Sequence, residues 1–197
     1  MDSLRYFIAL ITLMALPPGI LMWFVVHPFG GFWRRLGPWV SYTAMAVLSA
    51  AMMWGVWVIR RPLLAVDLGA SYPLVVGAMV CLVLGSAIAV KRKRHLTVAI
   101  LSGLPQVSEK AYPGTLLQEG IYGTIRHPRY VEVTLWTWGY ALFANYLTLY
   151  IVALATPVAI YLVVLLEERE LKERFGEEWE EYAARVPRFV PRRKEGR

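Results

Sequence analysis

The sequence predicts an all-α integral membrane bundle of about five transmembrane helices, with a cytosolic C-terminal helix and an extended strap. Composition is the first observation behind this. Hydrophobic residues make up 57% of the 197 and charged residues only 18%, a balance that soluble domains of this size rarely reach. Second, several apolar runs approach the ~20 residues that cross a ~30 Å hydrocarbon core. Third, the charges collect between and after those runs rather than within them. The length suits a single membrane domain over 1–197. Three N-terminal spans occupy 1–95, a part containing a helical hairpin occupies 96–191, and a loose basic tail occupies 192–197.

The first span is Leu4–Val26, and Pro17-Pro18-Gly19 predicts a kink or a break within it. Residues His27–Pro38 carry Arg34 and Arg35 beside Trp33, which is interfacial chemistry. Span two is Trp39–Ile59, Arg60–Ser71 turns the chain, and span three is Tyr72–Val90. The run Lys91-Arg92-Lys93-Arg94-His95 is an abrupt basic stop. Leu96–Glu119, with Pro105 and Pro113, reads as an amphipathic piece plus a loop. Tyr130–Asn145 is short for a span and Tyr146–Leu166 is full length. A tight turn at Asn145-Tyr146 would make them a hairpin, with Asn145 surrounded by protein. From Glu167 the pattern is charged and helical. Glu168/Lys172, Arg169/Glu173 and Glu170/Arg174 are pairs of opposite sign at i,i+4. Gly176 is a point of interruption, and Val186-Pro187-Arg188-Phe189-Val190-Pro191 cannot be regular helix.

Charge sets the expected orientation. Arg5, Arg60 and Arg61 fall on one side, and the other 18 of the 21 basic residues fall on the opposite side. The positive-inside rule then puts the N-terminus outside and the C-terminal part in the cytosol. The net charge of +7 clusters beside apolar segments, which fits membrane lipid head groups rather than nucleic acid. A lone cysteine, Cys81, excludes an intrachain disulfide and a multi-cysteine metal site. The three histidines lack metal-ligand spacing, so no metal is expected. No GxSxG, P-loop or GxGxxG occurs.

The polar residues nearest the apolar runs carry the chemistry. In GIYGTIRHPRY, residues 120–130, His127 exchanges hydrogen bonds near neutral pH, Arg126 and Arg129 are fixed cations, and Pro128 suits a first helical turn. Composition alone also allows a plain interfacial anchor there. Glu167-Glu168 follows the second arm of the hairpin. An antiparallel hairpin brings both acids to the depth of the 126–130 segment. A carboxylate there would hold an amine or a ribose hydroxyl. Glu132 lies two positions into a span, where an acid implies either a function or a pair with Arg129.

The set G-x-Y-x-x-x-R-H-P-x-Y, hydrophobic hairpin, E-E, F-G-x-x-W-x-x-Y and R-V-P-R-F-x-P over about 114–191 resembles the isoprenylcysteine carboxyl methyltransferase / phospholipid methyltransferase superfamily. The resemblance implies a membrane-embedded enzyme that moves a methyl group from S-adenosylmethionine to a lipophilic acceptor, leaving S-adenosylhomocysteine. It implies cofactor contacts from Thr115, Leu116, Leu117, Gly120, Tyr122, His127, Pro128, Arg129, Tyr130 and the pair Glu167-Glu168, with Glu167 taking a polar group and Glu168 free to pair with Lys172. Gly114 stands where the family often has a histidine, and Glu132 where it commonly has a glycine. Arg126 and Glu132 are the catalytic candidates, with Glu132 orienting the acceptor's head. An NADPH-dependent membrane reductase resembles the same region, but Arg129 and Val131-Glu132-Val133 depart from its R-H-P-N-Y-x-G-D pattern. A non-enzymatic scaffold is the third alternative.

Overall fold

The computed structural model describes residues 1–94, 96, 107–108 and 114–192. Apolar stretches in hydrocarbon must bond every backbone N–H and C=O internally, so they coil into helices. The elements are α1 (Asp2–Val26), α2 (Gly30–Val58), the short α3 (Arg60–Leu63), α4 (Tyr72–Lys93), α5 (Pro128–Ala144), α6 (Leu147–Phe175) and α7 (Glu177–Arg185). Among the described residues no strand forms, and one isolated bridge joins Asp67 to Tyr146. Helices α1, α2, α4 and α6 are long and apolar enough to cross a membrane. At 17 residues α5 is shorter, and it packs in the bundle against α4, α1 and α6. The amphipathic piece expected over Leu96–Glu119 falls largely outside the described residues. So do His95 and the tail beyond Arg192.

Local chemistry explains most boundaries. Helix α1 runs through Pro17-Pro18 without the expected break. Neighbouring helices make such prolines tolerable in a membrane bundle. The interruption falls instead inside α2, where Gly37 has φ +78° before Pro38, and proline disfavours the helical region for the residue it follows. Asn145 takes a left-handed conformation (φ 57°) and ends α5, as an asparagine can. It is buried by protein: its Nδ2 donates to Gly69 O at 2.8 Å, and its Oδ1 accepts from Tyr150 at 2.7 Å. Gly176, at φ +55°, separates α6 from α7. The charged segment from Glu167 is not a separate helix but the uninterrupted continuation of the last span.

Helix α4 seats on α5 through small residues, the usual device where lipid supplies no hydrophobic drive between helices. A Cβ added at Gly85 would meet the Trp136 ring at 2.7 Å, and one at Gly139 would meet Leu82 at 2.8 Å. At one end of the bundle Arg5, only 2% exposed, holds three segments together. Its Nε donates to Ala144 O at 3.0 Å, and its terminal nitrogens bind Asp2 and Asp67. The N-terminus of α1, the connection after α3 and the α5–α6 turn therefore meet there. The polar residues of the 120–130 segment and the Glu167-Glu168 pair gather toward the other ends of these helices.

Candidate functional site

A cavity of about 360 Å³ opens where the 3-10 turn Gly120–Gly123, the start of α5, the far part of α6 and α7 converge. Its polar wall includes Tyr122, Arg126, His127, Tyr130 and Glu167. Trp179 and Tyr182, on the apolar face of α7, close one side, and the Tyr182 hydroxyl donates to Tyr122 O at 2.7 Å. Trp23, Tyr42 and Met45, from α1 and α2, form a largely apolar wall.

The strap fixes the central motif through its backbone. Arg126 N donates to Pro187 O at 2.8 Å, and His127 N donates to Arg188 O at 3.0 Å. Arg126 Nη1 donates to Ala183 O and Val186 O at 2.5 Å each, capping carbonyls at the end of α7 as cations do. Its Nη2 donates to Glu168 at 2.8 Å. Glu168 also receives Arg188 at 2.7 Å and lies 3.1 Å from His127 Nε2. On the other side of the ring, His127 Nδ1 lies 3.4 Å from Glu167 Oε2. Burial lowers the His127 pKa, but the two carboxylates outweigh it, and the net shift is upward. A second bridge ties α1 to α6: His27 Nδ1 is 2.9 Å from Glu170, which holds Arg174 at 3.2 Å.

Most of the residues singled out in the sequence line this cavity. Thr115, Leu116, Leu117, Tyr122, Arg126, His127, Pro128, Arg129, Tyr130 and Glu167 do so, whereas Gly120, Glu132 and Glu168 do not. Glu168 is not paired with Lys172. It points into the bundle, where Arg126, His127 and Arg188 converge, while the exposed Lys172 reaches Glu180 at 2.7 Å. Arg129 is not the partner of Glu132 either. That carboxylate, 2% exposed, accepts from Arg92 at 2.9 and 3.3 Å. Arg126, proposed as catalytic, has both terminal nitrogens engaged in holding α7, the strap and Glu168. The α1–α2 wall, Arg92 and His27 were not singled out as parts of the site, because those segments carry no motif.

A family model described as phospholipid methyltransferase matches residues 73–178, more than half of the chain. No curated protein matches it.

Proposed function

Because the chain belongs to the phospholipid methyltransferase family, we propose that it transfers a methyl group from S-adenosylmethionine to a lipophilic acceptor. The observation that carries this is Glu167. Its Oε2 is buried at the cavity, and His127 Nδ1, 3.4 Å away, is its ion-pair partner there, with no arginine bound to it. A buried carboxylate oxygen held only by that long contact suits a donor brought by a ligand. Bound there, S-adenosylmethionine supplies an electrophilic methyl group on a sulfonium.

The chain's own residues fit such a guest. Glu167 takes an amine or hydroxyls, Tyr122 and Trp179 offer aromatic surface, and Leu116 and Leu117 offer apolar surface. His127 is fixed between two carboxylates and cannot swing away. Arg92, Arg126 and Arg174 are each paired with a carboxylate, which limits the repulsion these three exert on a cationic cofactor. Methyl transfer needs no covalent enzyme intermediate, so positioning and the exclusion of water are the protein's tasks. Glu132, behind the wall, serves through Arg92 in this scheme rather than by touching the acceptor. The cavity faces the cytosol, and the acceptor is held in the membrane.

Calorimetry in detergent tests the cofactor. S-adenosylhomocysteine is expected to bind at micromolar scale, roughly −8 kcal/mol. Glu167→Gln is expected to weaken it by about 1.5–3 kcal/mol, the worth of a charged hydrogen bond. Binding of NADPH with no binding of either adenosyl compound would overturn the reading. For orientation, cysteines placed at Ser3 and Gly196 are expected to label from opposite sides of the membrane. Labelling of both from one side would refute an odd number of spans.

A further inference from the structure

The two histidines that line the cavity are not equivalent. His127 has a carboxylate at each ring nitrogen, Glu168 at Nε2 and Glu167 at Nδ1, so both nitrogens are committed. His27 is held through Nδ1, which lies 2.9 Å from Glu170 Oε2. The other oxygen of that carboxylate accepts from Arg174 Nη1 at 3.2 Å. A carboxylate already serving an arginine offers lone pairs and no proton, so the proton of the His27–Glu170 bond sits on Nδ1. In the neutral ring Nε2 is then the bare acceptor.

Placement gives that nitrogen a use. His27 directly follows α1, and Trp23, Val26 and His27 have the i, i+3, i+4 spacing that puts residues on one helical face. All three line the cavity, with Tyr42 and Met45 of α2. The imidazole, 10% exposed, is thus a polar group set into the largely apolar wall, the side suited to a lipophilic acceptor. A base within a cavity, oriented by a third group, is the arrangement that general-base chemistry needs. We propose that His27 is the catalytic base that takes the acceptor's proton, with Glu170 as the residue that positions it. This rests on the methyltransferase reading and adds to it. The methylated atom bears a proton, as a hydroxyl or an amine does and a carboxylate does not. The acceptor's lone pair bonds the methyl carbon, the carbon–sulfur pair stays on sulfur, and the acceptor's proton passes to Nε2. Glu170 stabilises the imidazolium so formed, which gives its proton to water before the next turnover. The charged groups facing the ring are Glu170 and Glu167 from α6 and Arg129 from α5. Burial lowers the His27 pKa, but the bond to Glu170 and the charge of Glu167 outweigh burial and Arg129, and the net shift is upward. The neutral ring that acts as base therefore gains ground as pH rises through that raised value.

Measurements on the full chain in detergent test the base apart from the methyltransferase reading. Nitrogen-15 NMR of labelled histidines, assigned by comparison with His27→Gln, is expected to show the neutral His27 ring protonated at Nδ1 and bare at Nε2. A neutral ring protonated at Nε2 overturns the proposal. Radiolabelled S-adenosylmethionine and a total lipid extract report the transfer. His27→Gln, whose amide can still donate to Glu170, is expected to lose about 10²–10⁴-fold in rate, the usual worth of a general base. It is also expected to lose the rising limb of the pH–rate profile while binding S-adenosylhomocysteine as the wild type does. Imidazole added to His27→Ala is expected to restore part of the rate. A His27→Gln rate within a few-fold of wild type, or an unchanged profile, overturns the base and leaves the methyltransferase reading standing. So does label that mild alkali releases as methanol, because a methyl ester comes from a carboxylate with no proton to remove. Loss of S-adenosylhomocysteine affinity in His27→Gln makes the residue structural and overturns the proposal as well. Absence of that binding in the wild type sinks the methyltransferase reading itself, and the base with it.

Discussion

Glu132→Gln is expected to destabilise the fold by about 3–5 kcal/mol, the cost of leaving a buried cation without its partner. The cation is Arg92, whose side chain is 9% exposed and whose Nε and Nη2 both donate to the Glu132 carboxylate. The pair closes one end of the seam in which α4 lies against α5 through Gly85 and Gly139, so neither helix can retreat to admit water. Thermal unfolding in detergent measures the loss. The double variant Glu132→Gln/Arg92→Met is expected to recover most of it, because no uncompensated charge remains. If Glu132→Gln instead folds with wild-type stability but turns over slowly, the acid acts on the acceptor, as its place in the motif first implied.

Glu168→Gln is expected to have a comparable effect by a different route. Arg126, His127 and Arg188 all converge on this one carboxylate. Arg126 in turn holds the carbonyls at the end of α7. Removing the charge leaves Arg126, 8% exposed, without an acid, and the expected loss is again about 3–5 kcal/mol. The strap from Val186 to Phe189 is expected to detach before the bundle melts, because its ties run through this cluster and two backbone bonds. Limited proteolysis separates the stages: cleavage near Arg188 is expected at temperatures where the helical signal is intact. Simultaneous loss of both would show that the strap is no independent element. Glu167→Gln, with no arginine to strand, is expected to leave stability nearly unchanged and to act on ligand binding.

The comparison of these two neighbours shows where sequence is informative. Asn145 and Gly176 were legible as punctuation because a left-handed backbone is a local property of the residue. The 126–130 segment was legible because a motif fixes its neighbours along the chain. Membrane spans were legible from apolar run length, although Pro17-Pro18 proved weaker than Gly37-Pro38 as an interruption. Partner choice for the acids was not legible. The helical i,i+4 rule gave Glu168 to Lys172 and an i−3 neighbour gave Glu132 to Arg129. Both side chains face inward, where the competing cations come from other elements, 20 to 42 residues away. Local spacing describes exposed faces such as Arg169–Glu173, at 3.1 Å, and fails where tertiary packing brings in a stronger partner. The α1–α2 wall was invisible for the same reason, since nothing in Trp23, Tyr42 or Met45 distinguishes them from other apolar span residues.

Arg5 also sets a schedule for biosynthesis. Its carbonyl partner, Ala144, lies 139 residues later in the chain, and its partner Asp67 lies 62 residues later. At the usual synthesis rate of about 5–20 residues per second, Ala144 follows Arg5 by roughly 7–28 s. For that interval the first span carries a guanidinium held only by Asp2 and, once it is made, Asp67, and it must stay near the polar surface or beside the insertion machinery. The three N-terminal spans are therefore not a finished half to which a catalytic half is added. Their opening helix is completed by the hairpin that also begins the cavity, so a ribosome that stalls before Asp67 leaves Arg5 with Asp2 as its one acid, a ready mark for disposal.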